Sequence, residues 1–467
     1  MTIGNIIQLE ARGPEEEILY GNPQMTHFKK VFNRCTNFAT DYYKVADNEI
    51  KSMDFNSRIK VKLLSNGDLL GGVYLYIKFT DLVRKTPFVN YDGSTTLEPQ
   101  FTSYVNGIGF NIIEEIKFFI GGQEIETLNG ELIFLINELL NNYSKKQSFY
   151  KMNKYYPGSF EVGRTNTKNV NTLLYIPLFF SRASYSYLPL CALRNSEIYL
   201  DIKLKDANSC IINSYNVSNG LSPVPGVNGF DVSGNPSPSI VQLNEMYNEQ
   251  VKIGIDKIEL FTKNIFLDHQ EKKLFMNSDI YNLIETFNIG TQDTFEEPNG
   301  HSQYTFPLDF YGPTKYIFWV LQREDVFNAK VLDNFTTSFN LKYKGYYGFD
   351  TDDHLMDEGV IMVNNTELTN MKNAVFLSDI QMYDNFNSGT SLNLYNFSFA
   401  LNPQLSEPSG TLNFSRLHRK DLRIKLVEPC TYSSCCEDRV KILLRTYSCS
   451  YNVLRIRDGL GGLEYKQ

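Results

Sequence analysis

Apolar residues in this chain recur at every second position, in short runs spread over its whole length. Ile198, Leu200, Ile202 and Leu204 alternate with Glu197, Tyr199, Asp201, Lys203 and Lys205. The same rhythm sets Ile59, Val61 and Leu63 on one face, then Val73, Leu75, Ile77 and Phe79, then Ile116, Phe118 and Ile120. It returns late with Leu422, Ile424 and Leu426, and with Val440, Ile442 and Leu444. Successive side chains of an extended strand point to opposite faces, so each run is a strand with one face buried. Runs of this kind in both halves, with few helical patterns between them, predict an all-β chain of antiparallel sandwiches or barrels.

Two local departures carry information. Val251, Ile253 and Ile255 occupy odd positions while Ile258 and Leu260 occupy even ones, which predicts a bulge or bend near Asp256-Lys257. A strand so bent could turn a corner between two sheets. From Gly130 to Asn141 the period changes: Leu132, Leu135, Ile136, Leu139 and Leu140 share one helical face. Asn129 is the predicted N-cap, Leu128 can staple onto Ile133, and the helix is expected across one end of a sandwich.

At 467 residues the chain fits two domains. From Asp206 to Gln250 Asn, Ser, Gly and Pro dominate, as in Ser222-Pro223-Val224-Pro225-Gly226, and such a stretch cannot bury a core of its own. We therefore expect an arm at 1–23, a first sandwich at 24–205, a linker or interdomain loop at 206–250 and a second sandwich at 251–467. The two halves show no residue-by-residue repeat.

A formal net charge of -8 argues against a dedicated nucleic-acid binder, which needs a basic face for phosphates. No secretory signal opens the chain and no apolar run approaches the roughly 20 residues of a membrane span, so a soluble protein is expected. The seven cysteines fit no disulfide framework. Cys430, Cys435, Cys436 and Cys449 cluster without the C-x-x-C spacing of a zinc site, which leaves buried thiols or a local disulfide open.

Searching for chemistry yields no catalytic, cofactor-binding or metal-binding residue. The five histidines, His27, His269, His301, His354 and His418, stand singly, without the His-x-His pair of a metal-dependent jelly-roll enzyme. No Gly-x-Ser-x-Gly elbow is present. The acidic run Asp352, Asp353, Asp357 and Glu358 is read as a solvated loop. Six Asn-x-Ser/Thr triplets occur, at Asn142, Asn216, Asn334, Asn364, Asn396 and Asn413; many arise by chance in an Asn-rich chain, and without a secretory signal host glycosylation is not expected at most of them, which leaves attachment by another route open. Aromatic-rich stretches, Tyr343 to Phe349 and Tyr304 to Tyr316, are candidate contact hot spots if they are not core.

One turn is specified in unusual detail: Glu407-Pro408-Ser409-Gly410-Thr411-Leu412-Asn413-Phe414-Ser415-Arg416. Pro408 fixes φ, Gly410 permits a positive φ and the hydroxyls can bond local backbone. Three further segments accompany it in order. They are Gly21-Asn22-Pro23-Gln24-Met25-Thr26-His27-Phe28, the stretch Leu173 to Pro189 with Ile176-Pro177-Leu178-Phe179-Phe180, and Tyr451-Asn452-Val453-Leu454-Arg455 leading to Gly459-Leu460-Gly461-Gly462-Leu463. Together they resemble the double jelly-roll major capsid proteins of nucleocytoplasmic large DNA viruses.

The resemblance implies two tandem eight-stranded antiparallel jelly rolls with short helices in the loops. It further implies a non-enzymatic structural protein that homotrimerises into a pseudo-hexagonal capsomer and tiles an icosahedral shell. The partners it implies are the chain itself, neighbouring capsomers, minor capsid and penton proteins and, indirectly, an internal membrane. No cofactor and no direct nucleic-acid contact are expected, and the place is the virion, assembled in host cytoplasm. A β-sandwich carbohydrate- or receptor-binding module is the runner-up, with a less abundant capsid paralogue beside it.

Overall fold

The computed structural model describes residues 3–465 except 12, 31, 46–49, 51–52, 64–65, 85–98, 158–167, 218–219, 223–250, 297–302, 329, 331, 337–353, 391 and 428–440. Residues Met1–Phe38 form one unit and Ala39–Gln467 a second. The first carries a helix at Ile3–Glu10 and a short one at Glu17–Tyr20. This unit runs well past residue 23, where the sequence placed the end of the arm.

In the second unit each alternating run is a strand. The first sandwich has β1 (Phe38–Lys44), β2 (Arg58–Lys62), β3 (Leu69–Phe79), β4 (Ile113–Ile120), β5 (Gln123–Leu128), β6 (Asn171–Ile176), β7 (Ile198–Leu204) and β8 (Ile255–Leu267). They pair in the orders β1-β8-β3-β6 and β2-β7-β4-β5. The second sandwich has β9 (Ile280–Glu296), β10 (Gln303–Pro307), β11 (Pro313–Arg323), β12 (Met356–Val363), β13 (Thr366–Glu367), β14 (Tyr395–Ser398), β15 (Lys420–Leu426) and β16 (Lys441–Arg457). Its orders are β9-β16-β11-β14 and β10-β15-β12-β13, the same two orders shifted by eight strands. Two eight-stranded antiparallel jelly rolls in tandem are therefore the fold.

Repetition extends to the turns. Gly121-Gly122 (φ 56° and 85°) closes the β4–β5 hairpin, and Asn364-Asn365 (φ 49° and 66°) closes β12–β13. Both are two-residue loops with positive φ throughout, the geometry that matches strand twist. β3 and β11 are each 11 residues long, and their first two residues each receive a short extra strand, Leu188–Pro189 and Leu412–Asn413 respectively.

One expectation needs correction. β8 pairs with β3 from Ile255↔Phe79 to Ile265↔Leu69, so it completes the first sandwich and does not begin the second. The stretch 206–250 thus connects two strands of one sandwich and is no interdomain linker. Within it, Ile211–Val217 pairs with Pro99–Tyr104. The link between sandwiches is the helix His269–Asn277. Alternation tells which face of a strand is buried but not which partner it takes, which is why the sequence misplaced β8. The phase switch is there: the β8–β3 register shifts between Ile255 and Lys257.

The predicted helix is α1, Gly130–Leu140, with the Asn129 side chain accepting from Leu132 N at 2.7 Å. A second helix, α2, follows at Tyr143–Asn153. α1 also touches the second sandwich, since its Glu131 pairs with Arg445 and accepts from Tyr447, both of β16. Among the described residues, no helix is long and apolar enough to cross a membrane.

Candidate functional site

The strand with the most consequence for this chain is β11. From Thr314 to Gln322 every residue is buried. Its alternation splits between two cores: Ile317, Trp319 and Leu321 face the interior of the second sandwich, while Tyr316, Phe318 and Val320 join a cluster continuous with the first. A strand buried on both faces reads as a continuous apolar run, and Tyr316-Ile317-Phe318-Trp319-Val320-Leu321 is one. That signal is legible in the sequence, although it lacks the alternation of the other strands. The outer face of the β9-β16-β11-β14 sheet is therefore seated on the first sandwich.

Polar groups clip this seam. Glu126 of β5, with its carboxylate fully buried, accepts from Arg182 Nη2 at 2.5 Å, Phe179 N at 2.7 Å and Phe287 N of β9 at 3.2 Å. Arg182 reaches across in turn, donating through Nη1 to the Glu285 carbonyl at 2.7 Å and lying 4.3 Å from the Phe287 ring centroid. Burial pushes the Glu126 carboxyl up, against the pull of Arg182 and the two backbone N–H groups. For Arg182, burial opposes the charge, but Glu126 and Glu285 outweigh it and hold the guanidinium above its usual value. A buried carboxylate with three donors and a paired guanidinium satisfies the conditions under which internal charges are tolerated.

A second clip lies along α1. Glu131 meets Arg445 Nε at 2.8 Å and accepts from Tyr447 Oη at 3.2 Å, and Arg445 also donates to Gln322 Oε1 at 2.6 Å. Farther along, buried Lys146 pairs with Glu138 at 3.1 Å and donates to the Gly389 carbonyl at 2.6 Å. A third clip uses the C-terminal hairpin: Asn195 N donates to Gly459 O at 2.9 Å, and Leu463 N donates to Gln123 Oε1 at 3.0 Å. Asp458 and Gly459 both take positive φ (53° and 82°), forming the tight turn that presents this edge. A cavity of about 40 Å³ remains in the seam, bordered by Phe110, Glu131, Asp333 and Arg445. It has room for a few waters.

Family models match both halves of this architecture. Residues 26–268 match the major capsid protein N-terminus, and residues 271–462 match the large eukaryotic DNA virus major capsid protein. The chain belongs to this capsid protein family. The boundary between the two matches falls at the helix His269–Asn277, where the strand pairing also divides the chain. Curated relatives include "Probable capsid protein 4" of Acanthamoeba polyphaga mimivirus, 24% identical with 99% of each chain covered. The "Major capsid protein" of Paramecium bursaria Chlorella virus 1 is likewise 24% identical, with 99% of each covered. Among solved structures, the chain is similar to a chain of the PBCV-1 virus capsid, at a TM-score of 0.69 and 20% identity, covering 95% of this chain and 100% of that one. The Faustovirus major capsid protein gives a TM-score of 0.61 at 12% identity, covering 97% of each.

The family segments read from the sequence are structural devices. Gly410 has φ +138°, and a Cβ there would lie 2.6 Å from the Phe399 carbonyl oxygen. Ser409 Oγ accepts from Asn402 N at 3.0 Å, and Leu412–Asn413 then pairs with Pro313–Thr314 at the start of β11. The turn thus pins the strand that forms the seam. Leu173 to Pro189 supplies β6, the 3-10 turn Phe179–Ser181 and Arg182. Tyr451 to Leu463 supplies the end of β16 and the clipping hairpin. Gly21 to Phe28 lies in the separate N-terminal unit, with Phe28 fully exposed.

The residues weighed for chemistry are not brought together. His354 is buried and bonds Tyr395 Oη at 3.2 Å; His27, His269 and His418 are exposed at separate places, and His301 lies outside the described residues. Asp357 pairs with Lys425 at 2.5 Å on β12, with Glu358 beside it, so these two members of the acidic run belong to a paired strand; Asp352 and Asp353 lie outside the described residues. Of the cysteine cluster only Cys449 is described, a free thiol buried in the seam and pushed up to about 12 by burial. Among the described residues no group of three or more His, Cys, Asp or Glu could hold a metal ion. Asn334 and Asn396 are buried and closed to glycans. Of the aromatic stretch at 304–316, Phe306, Phe310 and Tyr316 are core, and Tyr311 is exposed; 343–349 lies outside the described residues.

Proposed function

We propose that this protein is the shell-building subunit of a large DNA virus capsid, acting as a homotrimer. Three chains would contribute six sandwiches to a pseudo-hexagonal capsomer, and capsomers would tile an icosahedral shell. The observation that supports this is the pair of sandwiches with identical strand order, fused through a buried, clipped seam. A hexagonal tile built from three chains needs two like lobes held at one fixed angle, and a flexible tether could not supply that. The work is assembly and no catalysis is assigned. Trimer contacts belong in the obligate class, about 2,000–5,000 Å², while contacts between capsomers are weaker so that misplaced tiles can dissociate. Neighbouring capsomers, penton and minor capsid proteins are the proposed partners, an internal membrane is reached only through them, and assembly takes place in host cytoplasm. Light scattering on the eluted chain tests the reading: a species of about three times the 53.8 kDa chain mass is expected. A stable single chain at micromolar concentration would overturn it.

A further inference from the structure

β9 is the outermost strand of the β9-β16-β11-β14 sheet, and no described strand pairs with its other edge. The backbone groups of that edge belong to alternate residues, because the N–H and C=O of residues i and i+2 point the same way along a strand. Contacts settle which set points outward: Phe287 N donates to Glu126, and the Glu285 carbonyl accepts from Arg182. Tyr281 and Leu283 share that phase, and opposite Leu283 the Val453 carbonyl accepts from Glu464 N, away from β9. Regular pairing with β16 runs from Ile280 to Ile289, where the register shifts. A long regular run with open N–H and C=O groups is a template on which another chain can add a strand. The equivalent edge strand of the first sandwich, β1, has 7 residues, whereas β9 has 17.

Two side chains of the first sandwich stand where that strand would lie. Glu285 O and Phe287 N flank Thr286, and the partner they fit is a single residue of a parallel strand, which offers one N–H and one C=O. Arg182 supplies the donor at 2.7 Å, Glu126 the acceptor at 3.2 Å, and the two are joined to each other at 2.5 Å. Each is fixed from behind. Arg182 Nε donates to Pro177 O at 3.0 Å, and the second carboxylate oxygen of Glu126 accepts from Phe179 N at 2.7 Å. Well-packed apolar side chains could hold two lobes together here as firmly as a buried ion pair. What they could not do is occupy the hydrogen-bonding groups of an edge strand.

We propose that Glu126 and Arg182 form a plug that closes the edge of β9 against strand addition by a second copy of this chain. The plug falls inside the regular run, so the outward groups left beside it, at Tyr281 and Leu283 and at Ile289, are too few to anchor a strand. Copies crowded together then meet through their side chains and not through an extended ladder. The plug works in the same way whatever the number of chains in the native assembly.

The test replaces both side chains at once, Glu126→Leu with Arg182→Met, so that volume is kept, no charge is stranded and the edge is open. Circular dichroism first establishes that this double variant is folded. Light scattering over a concentration series is expected to show at least a doubling of the weight-average mass over the parent, with thioflavin T fluorescence rising alongside. Glu126→Gln with Arg182→Gln, whose amides still accept and donate, is expected to keep the parent's mass. Adding Leu283→Pro to the first double variant removes an outward N–H from the same edge and is expected to restore the parent's mass. Aggregation through any other surface would survive that change. A folded first double variant with the parent's mass, or one whose growth Leu283→Pro leaves unchanged, overturns the plug. Where that variant does not fold, hydrogen exchange on the parent decides: a slowly exchanging Phe287 amide is expected, and a rapidly exchanging one overturns the assignment.

Discussion

Arg182→Met should uncouple the two sandwiches. The substitution keeps most of the side-chain volume but removes the guanidinium that joins Glu126 to the β9 backbone and to Phe287. Arg182 retains only 14% side-chain exposure and Glu126 none, so the carboxylate left behind has no route to water. Breaking a buried pair in this way costs about 3–5 kcal/mol, and the lost cation–π contact lies within that figure. Glu126→Gln keeps an acceptor for Phe179 N and Phe287 N but strands the guanidinium, and about 2–3 kcal/mol is expected. With both changes together neither charge remains, so the double variant should cost far less than the sum, with a coupling of at least about 1.5 kcal/mol. Urea unfolding at fixed chain concentration measures this, and Trp319, the single tryptophan, reports on the second sandwich from its core. In the parent, Trp319 fluorescence and far-ultraviolet circular dichroism should follow one transition. In Arg182→Met the fluorescence change should come first, since the second sandwich loses its support. Additivity within about 0.5 kcal/mol together with coincident transitions would refute the idea that this pair couples the lobes.

Further expectations address the turn, the thiols and pH. Gly410→Ala forces a Cβ against the Phe399 carbonyl at a φ of +138°, and a loss of about 1–3 kcal/mol is expected in the same urea assay; an unchanged midpoint would show that the turn tolerates any residue. Cys210 and Cys449, both pushed up to about 12 by burial, should resist iodoacetamide at pH 8 in the native protein while exposed Cys35 reacts, as peptide mapping would reveal; native labelling of Cys449 would mean that the seam opens. Burial raises Glu126 above its ordinary 4.5, so its contribution to stability is full below that value and is lost as pH rises through the raised one. Relative to Glu126→Gln, the parent should therefore lose stability from mild acid towards neutrality, and a constant difference between pH 4 and 8 would contradict the assignment.

Much of this architecture could be read without coordinates because alternation is a local property. Val73, Leu75, Ile77 and Phe79 had to share a face whatever they packed against, and Asn129 had to cap a helix that begins at Gly130. The bend at Asp256-Lys257 was visible for the same reason, since a strand that keeps its core face must absorb an extra residue. Turn chemistry was equally legible at Gly410, where only a residue without Cβ fits. What failed was partner choice. β8 lies nearly 180 residues from β3 in sequence, and no pattern within it names β3 over β9 as its neighbour.

The seam was hidden for a related reason. Glu126 looks like any polar residue on a strand edge, and Arg182 like any loop cation. Only the chain's return at Glu285 and Phe287 turns them into a buried bridge. The sequence by itself determined the all-β class, the strands, the main helix and, through four short segments, the family. Tertiary structure alone decided where the first sandwich ends, which charges are buried, and which face of each sandwich is already covered. Periodicity encodes the orientation of a side chain relative to its own backbone, whereas desolvation depends on what arrives from hundreds of residues away. That second quantity makes a buried bridge of Glu126 and Arg182.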